Sequence, residues 1–205
     1  MNKLVTTAAA AVADIAEGDS VAIAGFGVRS RFPTSLILAL RDRGVRNLTI
    51  VCNSLGGAED MRGQLLAENR QIGRLITSFS ARPGGRSAAE DLIASGEMQV
   101  ELVPQGVLVE RLRAAAAGLA GFYSPVGVGT LIAEGKEVRQ FDGRPYLFET
   151  ALHVDYALIW APRGDHMGNI QFRGGSQSFN PSFAKAARVA IAEVDEVVEV
   201  GQIPP

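Results

Sequence analysis

Pro104-Gln105-Gly106 sets a primary amide between two residues that restrict or free the backbone on either side of it. Gln105 either fills a turn or offers its amide N–H groups to a ligand oxygen. Three other stretches carry comparable chemistry. Asn53-Ser54 supplies an amide and a hydroxyl. Gly25-Phe26-Gly27 supplies close backbone approach and one aromatic ring, with Arg29 and Arg31 just beyond. Ser80 to Gly85 adds a hydroxyl and Arg82. Donors, glycines and three arginines of this kind suit a small anionic or carbonyl ligand, although the arginines read more readily as a solvated basic loop. Cys52 ends an apolar run and is expected to be packed rather than nucleophilic.

Several kinds of chemistry are disfavoured. Gly25-x-Gly27 begins like a dinucleotide fingerprint, but Ser30 stands where the third glycine belongs. Cys52-Asn53 also stands where an acidic residue should meet the ribose. Neither a Walker A loop nor a Gly-x-Ser-x-Gly elbow is present. His153 and His166 are far apart and there is no cysteine pair, so no metal site is expected. The chain therefore offers ligand donors with little sign of a nucleophile of its own.

These residues are spaced by a repeating pattern of elements. Ser20–Ala24, Asn47–Cys52, Arg74–Phe79 and the run beginning at Gln99 read as short buried strands. Helices are expected over Val5–Ala16, Thr34–Arg43, around Met61–Asn69, over Ser87–Ser95 and from Val107. Strand–helix alternation implies a mostly parallel sheet flanked by helices, an α/β fold. The loops after the first four strands then share one rim, and they are the stretches named above.

The second half is richer in β structure. Phe122 to Thr130 reads as a Gly/Pro-punctuated loop. Glu137–Phe141 and Arg144–Phe148 flank an Asp142-Gly143 hairpin turn. Asp155–Trp160, Ile170–Arg173 and Arg188–Val194 read as strands. Asn180–Ala187 reads as a helix capped by Asn180, with Pro181 at its first position. Tyr123 and Trp160 are expected in the core or at an interface.

The 205 residues are 47% hydrophobic and 20% charged, with a net charge of −2, which suits one domain over 1–205. There is no basic footprint for nucleic acid or an anionic membrane, and no apolar run long enough to span a bilayer. Asp14 and Glu17 interrupt the N-terminal apolar stretch too early for a secretory signal. A single cysteine cannot form an internal disulfide, so a reducing, cytoplasmic setting is expected. The mean hydropathy is slightly positive, as expected of a subunit that hides apolar surface against a partner.

A set of motifs carries a resemblance. They are Asp19 to Phe26 followed by a proline, Glu101-Leu102-Val103-Pro104-Gln105-Gly106, Phe122 to Thr130, Gly164-Asp165-x-x-Gly168-Asn169 and Phe179-Asn180-Pro181. In this order, from Met1 to Pro205, they resemble the α (A) subunit of family I coenzyme A transferases, of the succinyl-CoA:3-ketoacid and 3-oxoadipate kind. The resemblance implies a ribose-5-phosphate isomerase/CoA-transferase-like fold and a β subunit in a heterodimer or heterotetramer. It implies that the β subunit bears a nucleophilic glutamate. CoA would move in ping-pong fashion, through a glutamyl-CoA thioester, from an acyl-CoA such as succinyl-CoA to a 3-oxo acid. Coenzyme A thioester is then a substrate, and no permanently bound cofactor is expected.

In this family pattern Gln105 matches the glutamine of the oxyanion hole. Asn53 and Ser54 match an Asn-Asn pair lining the substrate pocket, with Gly25, Phe26, Gly27, Arg29 and Arg31 also at the substrate. The sequence departs from the pattern in a loop one residue longer between Phe26 and Pro33. It departs again at Ser54, at Ala81-Arg82-Pro83, at Ala115-Ala116 in place of two glycines, and at Gln177-Ser178 in place of Arg-Asn. The chain also stops where the family continues into another short strand. The arginines would favour a dicarboxylic acceptor if they face the ligand. Two other outcomes fit the same residues: an acyl-CoA hydrolase or lyase subunit, and a non-catalytic metabolite-binding module.

Overall fold

The computed structural model describes residues 2–25, 32–56, 63–80 and 86–204. Its first half runs α1 (Ala8–Ala11), β1 (Ser20–Ile23), α2 (Thr34–Arg43), β2 (Leu48–Ser54), α3 (Gln64–Glu68), β3 (Ile72–Phe79), α4 (Ala88–Ala94), β4 (Gln99–Leu102) and α5 (Gln105–Ala116). Its second half runs β5 (Gly121–Ser124), β6 (Val138–Phe141), β7 (Arg144–Thr150), β8 (Val154–Asp165), β9 (Ile170–Gln171), α6 (Asn180–Ala186) and β10 (Ala187–Val198).

The main sheet has the order β10-β8-β1-β2-β3-β4 with every pair on that path parallel, and β9 pairs antiparallel with β8. The central strands are buried on both faces, which is why they read as unbroken apolar runs. One face packs Val21, Ile23, Ile50, Cys52 and Leu75 against α1 to α4. The other packs Ala22, Val51, Ile76 and Ile159 against Val107, Leu108 and Leu112 of α5 and Phe183 of α6. The sides follow from handedness. Right-handed crossovers stepping from β1 to β4 put α2, α3 and α4 on one face, and the opposite step from β8 to β10 puts α6 on the other. A smaller antiparallel sheet, β5-β7-β6, accounts for much of the β-rich second half.

Local signals explain several element ends. Gly44 ends α2 in the left-handed conformation (φ 70°). Ser87 and Glu90 form a reciprocal capping box at the start of α4. Asp142 (φ 48°) and Gly143 (φ 73°) turn the β6–β7 hairpin with two positive φ angles, as a type I′ turn requires.

Four expectations are corrected. The first helix covers only Ala8–Ala11, capped by the Thr7 hydroxyl accepting from the Ala10 N–H. Val12 and Ile15 leave helical register to enter the core. The start of the expected loop at Phe122 is strand β5, paired with β7, a partner distant in sequence. Asn180 is the first helical residue rather than the cap. Its Oδ1 accepts the Trp160 N–H (3.1 Å), which ties α6 to β8. Strands β8 and β10 also run longer than expected, because each supports the other along ten paired positions.

Among the described residues, no helix is long and apolar enough to cross a membrane.

Candidate functional site

The parallel order brings the C-terminal ends of β1 to β4 to one rim. Gly25, Asn53 and Gln105 stand at three of those four ends. Gln105 is not in a turn before the helix. It is the first residue of α5, because Pro104 (φ −53°, ψ 135°) already serves as the helix N-cap, and the Leu108 N–H donates to the Pro104 carbonyl. Asn53 and Ser54 likewise belong to β2 rather than to the loop after it.

Two of the expected residues meet. The Gln105 Nε2–H donates to Asn53 Oδ1 at 2.6 Å, and Asn53 is only 4% exposed. The Asn53 carbonyl in turn accepts the Thr77 hydroxyl of β3 (3.1 Å), which fixes the strand end beneath the side chain. Strand alternation separates Asn53 from Ser54. Val51 and Asn53 face α5, whereas Cys52 and Ser54 face α2 to α4.

Gly25 is buried at φ 147°, and a Cβ there would lie 2.2 Å from the Phe32 ring, so close packing requires the glycine. Phe26, Gly27, Arg29, Arg31 and Arg82 lie outside the described residues.

The turn that presents Gln105 is clamped from both sides. Glu101 precedes it on β4 and Arg111 follows it on α5, and their side chains meet at 2.6 Å (Nη1 to Oε1). Arg74 of β3 binds the other Glu101 oxygen at 2.6 Å, and Arg111 Nε–H also donates to the Thr150 carbonyl at 2.9 Å. Burial works to raise the Glu101 carboxyl. Hydrogen bonds and charge from Arg111, and then from Arg74, outweigh burial and hold it below the usual carboxylate range.

The clamp escaped sequence reasoning, although opposite charges flanking Pro104-Gln105-Gly106 were a readable sign of it. So did Ser78, on the strand between Asn53 and the start of α5. Its Oγ is buried with no hydrogen-bond partner among the described residues.

The other candidates stay apart from this rim. Cys52 is packed at 1% exposure, and burial pushes its thiol up to about 12, against a weaker lowering by Thr77. Tyr123 packs edge-on against Phe141 and tilted against Phe148 in an aromatic cluster, and Trp160 is buried on β8. Among the described residues no group of three or more His, Cys, Asp or Glu is arranged to hold a metal ion. A surface cleft of about 420 Å³, lined by Arg41, Asp42, Gly44, Leu65, Glu68 and Asn69, opens where α2 ends and β2 has yet to begin, at the far end of the sheet from Gln105.

Chemically, the rim can hold and polarise a carbonyl. Gln105 carries two amide N–H groups, one of which goes to Asn53 in this structure. It sits in the first turn of a 12-residue helix, where the helix dipole favours negative charge. Among the described residues at the rim, none pairs a nucleophile with an activating base.

Comparison with known proteins gives the family. The sequence model of the coenzyme A transferase family matches residues 5–205, and the chain belongs to that family. It is 47% identical over 191 residues to the A subunit of the succinyl-CoA:3-ketoacid coenzyme A transferase of Xanthomonas campestris pv. campestris, covering 93% of this chain and 77% of that one. It is 42% identical over 205 residues to the A subunit of the 3-oxoadipate CoA-transferase of Pseudomonas putida, covering 100% and 87%. The fold is that of an acyl-CoA transferase from E. coli O157:H7 solved as a thioester complex with CoA (TM-score 0.87, 24% identity, 100% of this chain). The present chain spans 44% of that longer one.

Proposed function

We propose that this chain is the α subunit of a hetero-oligomeric 3-oxoacid CoA-transferase. It moves CoA from a donor such as succinyl-CoA to a 3-oxo acid, and the attacking glutamate comes from a β subunit. In this reading the glutamate carboxylate adds to the thioester carbonyl, and the carbonyl oxygen becomes an oxyanion. CoA thiolate then leaves and an acyl-glutamyl anhydride remains. The thiolate attacks the glutamyl carbonyl, releasing the donor acid and forming glutamyl-CoA. The acceptor carboxylate repeats the sequence in reverse.

Gln105 donates to each oxyanion. Asn53 holds the Gln105 side chain before substrate binds, and Gly25, Phe26, Gly27, Arg29 and Arg31 are assigned to acyl-group binding, whereas Ser54 turns to the opposite face of β2. The observation that carries this reading is the Gln105–Asn53 amide pair at the start of α5. Phe79 and Leu102, at the C-terminal ends of β3 and β4, support a covering partner over this end of the sheet, since they leave large apolar side chains 55% and 52% exposed.

The test is reconstitution with the β subunit, following succinyl-CoA and acetoacetate by mass spectrometry. Acetoacetyl-CoA should form only when both chains are present, and acyl-CoA should leave a CoA adduct on the β chain. Free acid without acceptor-CoA would point to hydrolysis instead. Turnover by this chain alone would overturn the division of labour.

A further inference from the structure

Ser78 is the residue that neither the fold nor the proposed reaction uses. Register pairs Cys52–Thr77 and Ser54–Phe79 bracket Asn53 and Ser78, so the two are lateral neighbours on β2 and β3. Alternation puts both on the α5 face, because Val51 and Ile76, two residues earlier on each strand, pack there. The order β2-β3-β4 also places Ser78 on the strand between Asn53 and the turn that bears Gln105. Its Oγ is the buried side-chain oxygen left without a partner among the described residues, while Oδ1 of its neighbour Asn53 is turned to the Gln105 amide. Buried hydroxyls are seldom left unpaired, and where one is, a second arrangement that pairs it is the natural explanation.

We infer that Ser78 is a positioning residue that takes over Asn53 Oδ1 when Gln105 leaves it. The idea rests on the transferase reading only for what draws Gln105 away, namely the oxyanion of the thioester. While Gln105 holds Asn53, the Ser78 O–H is spare. Once Gln105 turns to substrate, the buried Asn53 oxygen would be unsatisfied, and the Ser78 O–H donates to it. No proton is transferred; one hydrogen bond replaces another. The exchange lowers the barrier to releasing Gln105 and keeps Asn53 in place.

A stability cycle on the full chain tests the exchange without any activity. Ser78→Ala alone should leave the denaturation midpoint unchanged or raise it, since it removes an unpaired hydroxyl. In a Gln105→Ala background, where Asn53 depends on Ser78, the same change should lower the folded-to-unfolded ratio about fivefold. Should Gln105→Ala fail to fold, Gln105→Met fills the same space without an N–H and takes its place. Equal effects of Ser78→Ala in both backgrounds overturn the proposal.

In the reconstituted enzyme, Ser78→Ala should lower kcat severalfold with KM little changed, and Ser78→Thr, which keeps the hydroxyl, should restore it. An unchanged kcat in Ser78→Ala also overturns it. If the unmutated complex transfers no CoA, the transferase reading fails, and the stability cycle still decides on Ser78.

Discussion

Replacing Gln105 tests the site most directly, because the residue has two jobs whose losses appear in different measurements. Gln105→Ala removes a donor from the oxyanion, and losses of one such donor run at about 3–4 kcal/mol, or roughly 10²–10³ in kcat. It also strips the 2.6 Å donor from Asn53 Oδ1, an atom on a residue only 4% exposed. An unsatisfied buried acceptor costs about 1–3 kcal/mol of stability. With Ser78 in position to replace the lost donor, the low end applies, and at this chain length about 1 kcal/mol moves Tm by roughly 2–4 °C.

Gln105→Glu separates the two losses. The carboxylate has no N–H for the oxyanion, yet Asn53 can reverse its amide and donate Nδ2–H to it, so the contact between α5 and β2 survives. Gln105→Ala should therefore lose both kcat and Tm, and Gln105→Glu should lose kcat with Tm close to the parent. The assay is acetoacetyl-CoA formation by the complex with its β subunit, alongside thermal unfolding of each variant. If Gln105→Glu keeps near-parental kcat, the side chain is structural and the oxyanion role is wrong.

The remaining predictions use other parts of the same rim. Native Cys52 should resist iodoacetamide at pH 8, because burial pushes its thiol to about 12, and should react at the rate of an ordinary thiol once the chain is unfolded in urea. Glu101 sits below its ordinary value when folded. Its contribution to stability is therefore complete above its unfolded pKa of about 4.3 and disappears as the pH falls through the lower folded value; Arg111→Met should flatten that acid limb in urea melts followed by circular dichroism. Gly25→Ala sets a Cβ 2.2 Å from the Phe32 ring at a φ that side chains avoid, and it should lower Tm by several degrees, with Phe32→Leu in the same chain recovering part of the loss.

The parallel sheet was legible because its strands are buried on both sides and so lack the alternation of a half-buried sheet. The helix ends were legible where a local signal sets them, as at Gly44 and at Ser87 with Glu90. Gln105 and Asn53 could be named as residues of one rim from strand–helix order alone. That they touch could not, because the contact spans β3 and depends on which face α5 takes. β5 was missed for the same reason. Its partner lies beyond an intervening loop and β6, and the proline and glycines that suggested a loop, Pro125, Gly127 and Gly129, come only after it ends. Asn180 had the composition of a cap, but the competing claim on its side chain, the Trp160 N–H, comes from another strand.

The position of the amide pair follows from how the chain turns back at β4. From β1 to β4 each crossover advances one strand in the same direction, and right-handedness keeps α2, α3 and α4 on one face. β4 is the edge, so α5 has no next strand to reach. It folds beneath the opposite face and runs back toward the centre, carrying its first residue over β3 to β2. A helix on the usual face would have left Gln105 at the edge, away from Asn53. The Glu101–Arg111 pair holds the reversal at its tightest point, and Arg111 extends the hold to the carbonyl of Thr150 in the small sheet. The donor that the proposed reaction needs is thus positioned by the connection that leaves the main sheet at β4 instead of crossing to a next strand.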